Sequence, residues 1–477
     1  MRKEVLFTRR RLGVVVIISA LVCVAMGFDA FGLRTTESQK SSTSVTKSSV
    51  IKLGTPLWSI RRAPQSLIDA VGAVRLQSSI DSLLAGTNSC FIVQEDSTLR
   101  AQGSTDVPLI PASTQKLFTG LAALEVLGAD SKIETAVTTE GTEVTSTVPN
   151  LFLVGAGDPL LATADFRESL DKYAATRGIP FTSLESLADQ IKAAGVKKVS
   201  NGIVADDTRY DDARFVIGWK DSYRSDGQIG PIGALTVNRG FEEGSVSPVD
   251  DPALFAAEML TKLLKERGVT VGGTPRRGRA PDSGARVASV SSATLSEIVQ
   301  EMLRSSDNLA AEMLTREIGV RVSKEGTTAA GTAAIISELG RLGVDTTDLV
   351  MADGSGLGRG NRARCRPLLQ VIDLGSRPEF SAVLSGLPIA GETGTLTTQF
   401  RQSALTGRLR AKTGSLAEVT GLAGLINVNR SLRFSLLING QFTETVGIDL
   451  RSQVAEAMGA FPDAPELESI VPAPVGT

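Results

Sequence analysis

Three apolar runs stand close together near the C-terminus, Arg408 to Lys412, Val419 to Val428 and Leu432 to Asn439, and a helical pattern from Thr445 to Met458 follows them. Such short connections, the second at Asn429-Arg430-Ser431, permit only antiparallel neighbours, because a parallel pair needs a crossover of a dozen or more residues. Upstream the apolar spacing predicts a helix over Gln65 to Leu84, a strand over Cys90 to Gln94 and a helix over Ala112 to Leu127 with Gly128 as its left-handed cap. Further helices are predicted over Thr294 to Leu303, Leu309 to Ile318 and Thr327 to Leu342. The fold class is therefore α+β, an antiparallel sheet packed by helices.

The N-terminus sets Arg2, Lys3, Arg9, Arg10 and Arg11 ahead of an uncharged run from Leu12 to Phe28. A basic end before a long apolar stretch directs export, and the run reads either as an uncleaved anchor or as a signal cleaved after Ala25-Met26-Gly27. Residues 1–33 are assigned to this segment, and 34–57, rich in Ser, Thr and Lys, to a flexible linker. Folded sequence then runs to about Phe461, leaving 462–477 as a tail. The chain of 477 residues has 50 basic against 52 acidic side chains, so nothing marks it for nucleic acid. It contains no histidine, which removes every Ser-His-Asp and Cys-His catalytic arrangement. A base acting near neutral pH must then be Lys, Asp, Glu, Tyr or an activated water.

Three short motifs carry the chemistry. Ser113 and Lys116 are three apart at the start of a predicted helix, so they share a face and pair a nucleophile with a base. The spacing alone is common, since Ser44 and Lys47 show it too; the Pro-Ala entry and the apolar helix behind single out Ser113. Ser306-Asp307-Asn308 lies in a break between two helices, where a helix N-cap is the ordinary reading. Lys412-Thr413-Gly414-Ser415 ends a predicted strand, where glycine lets a ligand approach the backbone.

Together and in this order, the three motifs resemble those of the penicillin-recognising serine acyl-transferases. Gly157-Asp158-Pro159, Ala234-Leu235-Thr236-Val237-Asn238, Asp353-Gly354-Ser355-Gly356-Leu357 with Asn361-Arg362, and Gly394-Thr395-Leu396 narrow the resemblance to the D-alanyl-D-alanine carboxypeptidase/endopeptidase family, the low-molecular-mass class C penicillin-binding proteins. The match spans about Ile80 to Gly440. It implies a β-lactamase/transpeptidase-like domain, split into 58–131 and 288–461, with an inserted module at 132–287 between the first two motifs. The long separation of Ser113 from Ser306, and the lack of a Glu-x-x-Leu-Asn sequence to hold a deacylating water, set the chain apart from a compact β-lactamase.

The resemblance also implies roles. Ser113 attacks the carbonyl of the penultimate D-Ala, and neutral Lys116 takes its proton. Ser306 relays a proton to the leaving amine, helped by Lys412. Asn308 holds the acyl-side amide, Thr413 and Ser415 the terminal carboxylate, and Gly414 lies between them. The oxyanion hole comes from the N–H groups of Ser113 and Ser415. No cofactor or metal is called for. The implied partners are peptidoglycan stem peptides ending in D-Ala-D-Ala, β-lactams as covalent inhibitors and the membrane through the N-terminal segment, in the cell envelope on the extracytoplasmic side. A β-lactamase or esterase on the same scaffold, and a non-catalytic envelope protein, stay as alternatives.

Two pairs complete the expectations. Cys90 and Cys365 either form a disulfide, as an oxidising compartment allows, or remain two buried thiols. Asp158 and Arg359 offer one charge of each sign to the ammonium and carboxylate of a meso-diaminopimelate side chain; an Asx turn before Pro159 and a solvated surface arginine are the ordinary readings.

Overall fold

The computed structural model describes residues 64–172, 176–242, 244, 245 and 247–463. The apolar run Leu12 to Phe28 and the linker at 34–57 lie outside them. No helix among the described residues is long and apolar enough to cross a membrane.

The chain opens with α1 (Pro64–Leu84), β1 (Asn88–Glu95), β2 (Thr98–Gly103), a 3₁₀ turn (Ala112–Gln115) and α2 (Lys116–Leu127). Next come β3 (Lys132–Thr138), β4 (Thr147–Val154), α3 (Leu184–Ala193), β5 (Lys198–Asp206), α4 (Pro252–Glu266) and β6 (Arg286–Thr294). Helices α5 (Leu295–Ser305), α6 (Asn308–Ser323), α7 (Thr328–Arg341) and α8 (Cys365–Leu374) lead to β7 (Leu409–Leu416), β8 (Val419–Asn427), β9 (Ser431–Asn439) and α9 (Glu444–Ala460).

Strands β7, β8, β9, β1 and β2 form one antiparallel sheet in that order. Both faces are covered, and the two-residue alternation of strand side chains divides them. Phe91, Val93, Leu436 and Ile438 pack toward α1 and α9, with Leu76, Ile80, Val454 and Met458. Cys90, Ile92 and Leu437 point the other way, into a core with Phe118, Leu121, Met302, Leu314 and Leu368 from α2, α5, α6 and α8. A disulfide between Cys90 and Cys365, Cα atoms 5.9 Å apart, ties β1 to the start of α8. Of the two cysteine readings, the structure therefore takes the bonded one.

A second, six-stranded sheet runs β6-β3-β4-β5, with Thr270–Val271 and Arg276–Arg277 pairing to β5. It is mixed: β4 and β5 run parallel, while β3 is antiparallel to both β4 and β6. Leu187 and Ile191 of α3 and Leu260 and Leu264 of α4 fill its core with Leu151, Leu153, Val199 and Ile203. These strands and helices fall between Ser113 and Ser306 in sequence, and a fourth apolar cluster joins Tyr210, Tyr223, Ile229 and Ile232, which follow β5, to Leu309 and Met313 of α6.

Local signals set the element ends. Thr294 and Glu297 form a reciprocal capping box at the start of α5. Asp251 caps α4 ahead of Pro252, a residue whose missing N–H costs nothing at a first helical position. Two expectations need correction. Gly128 has φ 91° and ψ 131°, outside the left-handed helical region, although its N–H still closes on the Leu124 carbonyl. Strand β7 continues to Leu416, so Lys412 to Ser415 lie within a strand, where pairing with Thr420 to Ala423 of β8 extends it.

Candidate active site

Ser113 belongs to the 3₁₀ turn that precedes α2 and not to the α-helix itself. The turn is entered through Ala112 at φ 47°, a left-handed value that alanine adopts only when its surroundings hold it there. Two glycines supply that hold. A Cβ on Gly356 would lie 2.0 Å from the Ala112 carbonyl oxygen, and one on Gly414 would lie 2.8 Å from that of Pro111. The Ser113 turn is therefore clamped between the 353–358 loop and β7, an approach only glycine permits.

Lys116 is fully buried, and its amine donates to Ser113 Oγ (3.0 Å), Asn308 Oδ1 (2.6 Å) and the Ser355 carbonyl (2.7 Å). Burial lowers its pKa from 10.5 to about 8, against the opposing pull of Asp353, Glu312 and Asp307. An amine in that range is neutral in a useful fraction of molecules near neutral pH and can take a proton from the serine.

Ser306 caps α5 in the left-handed conformation, φ 61° and ψ 39°. Asp307 then starts α6, its Oδ1 accepting from the Ala310 N–H at 3.0 Å, while Arg239 pairs with its other oxygen at 3.0 Å. The N-cap reading of this motif holds for Asp307, and it leaves Ser306 and Asn308 free to face the site. Lys412, also fully buried, donates to Ser306 Oγ at 2.9 Å and to the Thr413 carbonyl at 2.8 Å. Burial, then the charges of Lys116 and Arg451, hold its pKa well below the ordinary lysine value. Thr413 Oγ1 lies 2.8 Å from Thr395 Oγ1, and the Asn308 amide donates to the Gln228 carbonyl at 2.8 Å.

The structure thus gathers two hydrogen-bonded groups, Ser113 and Asn308 on Lys116, and Ser306 and Thr413 on Lys412, near enough for the Lys116 charge to act on Lys412, with Gly414 against the Ser113 turn and Ser415 next along the strand. Asp158 and Arg359 are placed differently. Asp158 is 2% exposed, and its Oδ1 accepts from the Leu160 N–H at 2.9 Å in the Asx turn foreseen before Pro159. Its Oδ2 makes no well-formed hydrogen bond among the described residues, and burial raises its pKa to about 6 against the pull of the Thr182 side chain. Arg359 remains a surface charge, 34% exposed, that donates to the Ala417 carbonyl at 2.8 Å and pairs with the exposed Glu418 at 3.0 Å, beside the β7–β8 turn. No ion pair joins Asp158 to Arg359.

Several participants were not singled out from the sequence. Glu312 of α6 is buried and accepts the Gly354 and Ser355 N–H groups at 3.1 and 2.7 Å, holding the loop whose carbonyl binds Lys116. Burial, with Asp353 nearby, lifts its pKa to about 7. Asp353 in turn accepts from Trp219, Gly356 and Asn361. Arg451 reaches β7 from α9. The available signal was a charged residue inside an apolar helical repeat, Glu312 between Leu309 and Met313, and Arg451 ahead of Val454 and Ala455.

The profile of the D-Ala-D-Ala carboxypeptidase 3 (S13) family matches residues 76–248 and 242–460. The chain belongs to that family. As an S13 peptidase it is a serine-type D-Ala-D-Ala carboxypeptidase on a mixed α/β fold. It is 31% identical to the D-alanyl-D-alanine carboxypeptidase of Actinomadura sp. (strain R39), over 79% of this chain and 84% of that one. It is 32% identical to a carboxypeptidase of Mycobacterium tuberculosis, over 70% and 72%. Among solved structures, penicillin binding protein 4 of Haemophilus influenzae aligns with TM-score 0.68 over 80% of this chain and 98% of that one, at 22% identity.

Proposed function

We propose that this S13 peptidase removes the terminal D-Ala from peptidoglycan stem peptides through an acyl-enzyme on Ser113, and that penicillin acylates the same atom. The observation that carries the reading is the 3.0 Å contact of Lys116 Nζ with Ser113 Oγ, made by an amine whose burial brings its pKa to about 8. In the forward step neutral Lys116 accepts the Ser113 proton as Oγ attacks the penultimate D-Ala carbonyl. The Ser113 and Ser415 N–H groups receive the oxyanion. Ser306, held by Lys412, delivers a proton to the departing D-Ala nitrogen, and Asn308 holds the acyl-side amide. The terminal carboxylate rests on Thr413 and Ser415. Water then attacks the ester and regenerates Ser113.

The same reading assigns residues 58–131 and 288–461 to one catalytic domain and 132–287 to an inserted module, and places the enzyme in the cell envelope, held by or released from residues 1–33. For substrates bearing meso-diaminopimelate, Asp158 takes the ammonium and Arg359 the carboxylate; the Asp158 Oδ2, which makes no well-formed hydrogen bond among the described residues, supports the first half of that assignment. Incubation with an acyl-D-Ala-D-Ala peptide should release one D-Ala per peptide, and intact-mass analysis should show one penicillin adduct. An adduct without D-Ala release would leave a penicillin-binding envelope protein, and rapid loss of the adduct would indicate a β-lactamase.

A further inference from the structure

Arg451 is an unusual resident of a helix interior. It is 2% exposed, and no carboxylate among the described residues lies within ion-pair distance of it. Its Nη1 donates to the Gly414 carbonyl at 2.8 Å, to Ser415 Oγ at 2.9 Å and to Thr420 Oγ1 at 3.3 Å, while Nη2 donates to Gln399 Oε1 at 3.3 Å and Nε has no partner. Burying an arginine without a direct ion pair is costly, and burial lowers its pKa to about 10 against the opposing pull of Glu444. With Lys116 and Lys412 it makes three buried cations around one strand. The acids acting on Lys116, namely Asp353, Glu312 and Asp307, have no counterpart acting on Lys412.

The Ser415 hydroxyl converts this excess charge into direction. A guanidinium only donates, so Ser415 Oγ must accept from Arg451, and its single O–H is left to donate elsewhere. No acceptor for that O–H is found among the described residues. We propose that Arg451 is the positioning residue for the substrate's terminal carboxylate: it holds Ser415 from behind the strand, fixes the outward aim of its hydroxyl and supplies the positive field that the incoming anion neutralises. Arg451 touches no substrate atom and acts through Ser415 and Gly414. The inference rests on the carboxypeptidase reading above, which places the carboxylate on Thr413 and Ser415.

The test compares substrates with and without that negative charge. An acyl-D-Ala-D-Ala peptide is paired with its C-terminal carboxamide, and benzylpenicillin with its methyl ester. Arg451→Gln should lower kcat/KM for the free acid more than tenfold, mainly through KM, with the amide changed less than twofold. Benzylpenicillin acylation should fall similarly and that of its ester hardly at all. Arg451→Lys, which restores the charge but not the forked geometry, should recover part of the loss. Equal losses on acid and amide, or on penicillin and ester, would make Arg451 a structural support and overturn the proposal, as would no loss on either. If the wild type cleaved neither peptide, the carboxypeptidase reading would fail by itself, and the penicillin pair would still decide the role of Arg451. Should Arg451→Gln not fold, Arg451→Lys run through the same four reactions decides it.

Discussion

Lys412 Nζ and Ser306 Oγ meet at 2.9 Å across 106 positions of sequence, one from the middle of an edge strand and the other from a left-handed helix cap. The second hydroxyl of the site is thereby fixed by a buried cation whose charge is held down by burial and by two neighbouring cations. A weakened ammonium both orients Ser306 and gives up its proton more readily than an exposed lysine, which suits a relay.

Acylation separates the roles of the two lysines. Lys116→Ala should abolish adduct formation with benzylpenicillin, since no other group touching Ser113 Oγ can act as base. Lys412→Ala should leave slow acylation, reduced by about 10²–10³, the range for loss of a positioned electrostatic contact. Stopped-flow acylation rates test both. Near-normal rates in Lys116→Ala would require a different base.

The nucleophile itself is tested by mass. Ser113→Ala should remain folded, because its Oγ makes no structural contact beyond Lys116, and should show no penicillin adduct by intact-mass analysis. An undiminished adduct would move the nucleophile elsewhere.

Burial of Lys116 also sets the pH dependence. With a pKa of about 8, the acylation rate should rise as pH approaches 8 from below and level off above it. Between about 8 and 10.5 the unfolded chain keeps a proton that the folded one has released, so this group's contribution to stability grows as pH rises through that window. A negative charge on Glu312 raises the Lys116 pKa, so Glu312→Gln should move the rising limb to lower pH. A limb that stays in place would show that Glu312 supports the loop alone.

Reduction of the Cys90–Cys365 bond removes a closure spanning 275 positions. Stability should fall by about 2–4 kcal/mol, seen as a lower melting temperature in reductant or in Cys365→Ala. Thiol titration of the denatured, unreduced protein should find neither of these two cysteines reactive.

Side-chain reading is the fifth test. Asp158→Asn and Arg359→Ala should each lower kcat/KM more than tenfold for a diaminopimelate-bearing peptide, about 1.4 kcal/mol or more, and hardly affect a simple D-Ala-D-Ala peptide. Because Asp158 also caps the Leu160 N–H, Asp158→Asn keeps that bond and isolates the charge. Equal loss on both substrates would assign these residues to the fold.

Much of this protein was legible in its sequence because the signals are local. The strand runs after Arg408, the helix around Leu117, Leu121 and Leu124, and the order of Ser113-x-x-Lys116, Ser306-x-Asn308 and Lys412-Thr-Gly each depend on a few neighbouring residues, and backbone periods of 2 and 3.6 make them visible. What tertiary structure decided is of another kind. Whether Cys90 meets Cys365, whether Glu312 holds the Ser355 loop, and whether Arg451 points at Ser415 depend on which distant segments share a face of the sheet. The chemistry depends on the same packing. An exposed Lys116 would keep the ordinary lysine pKa, and only enclosure by α6, the 353–358 loop and the Ser113 turn strips its solvent and brings it within reach of neutral pH.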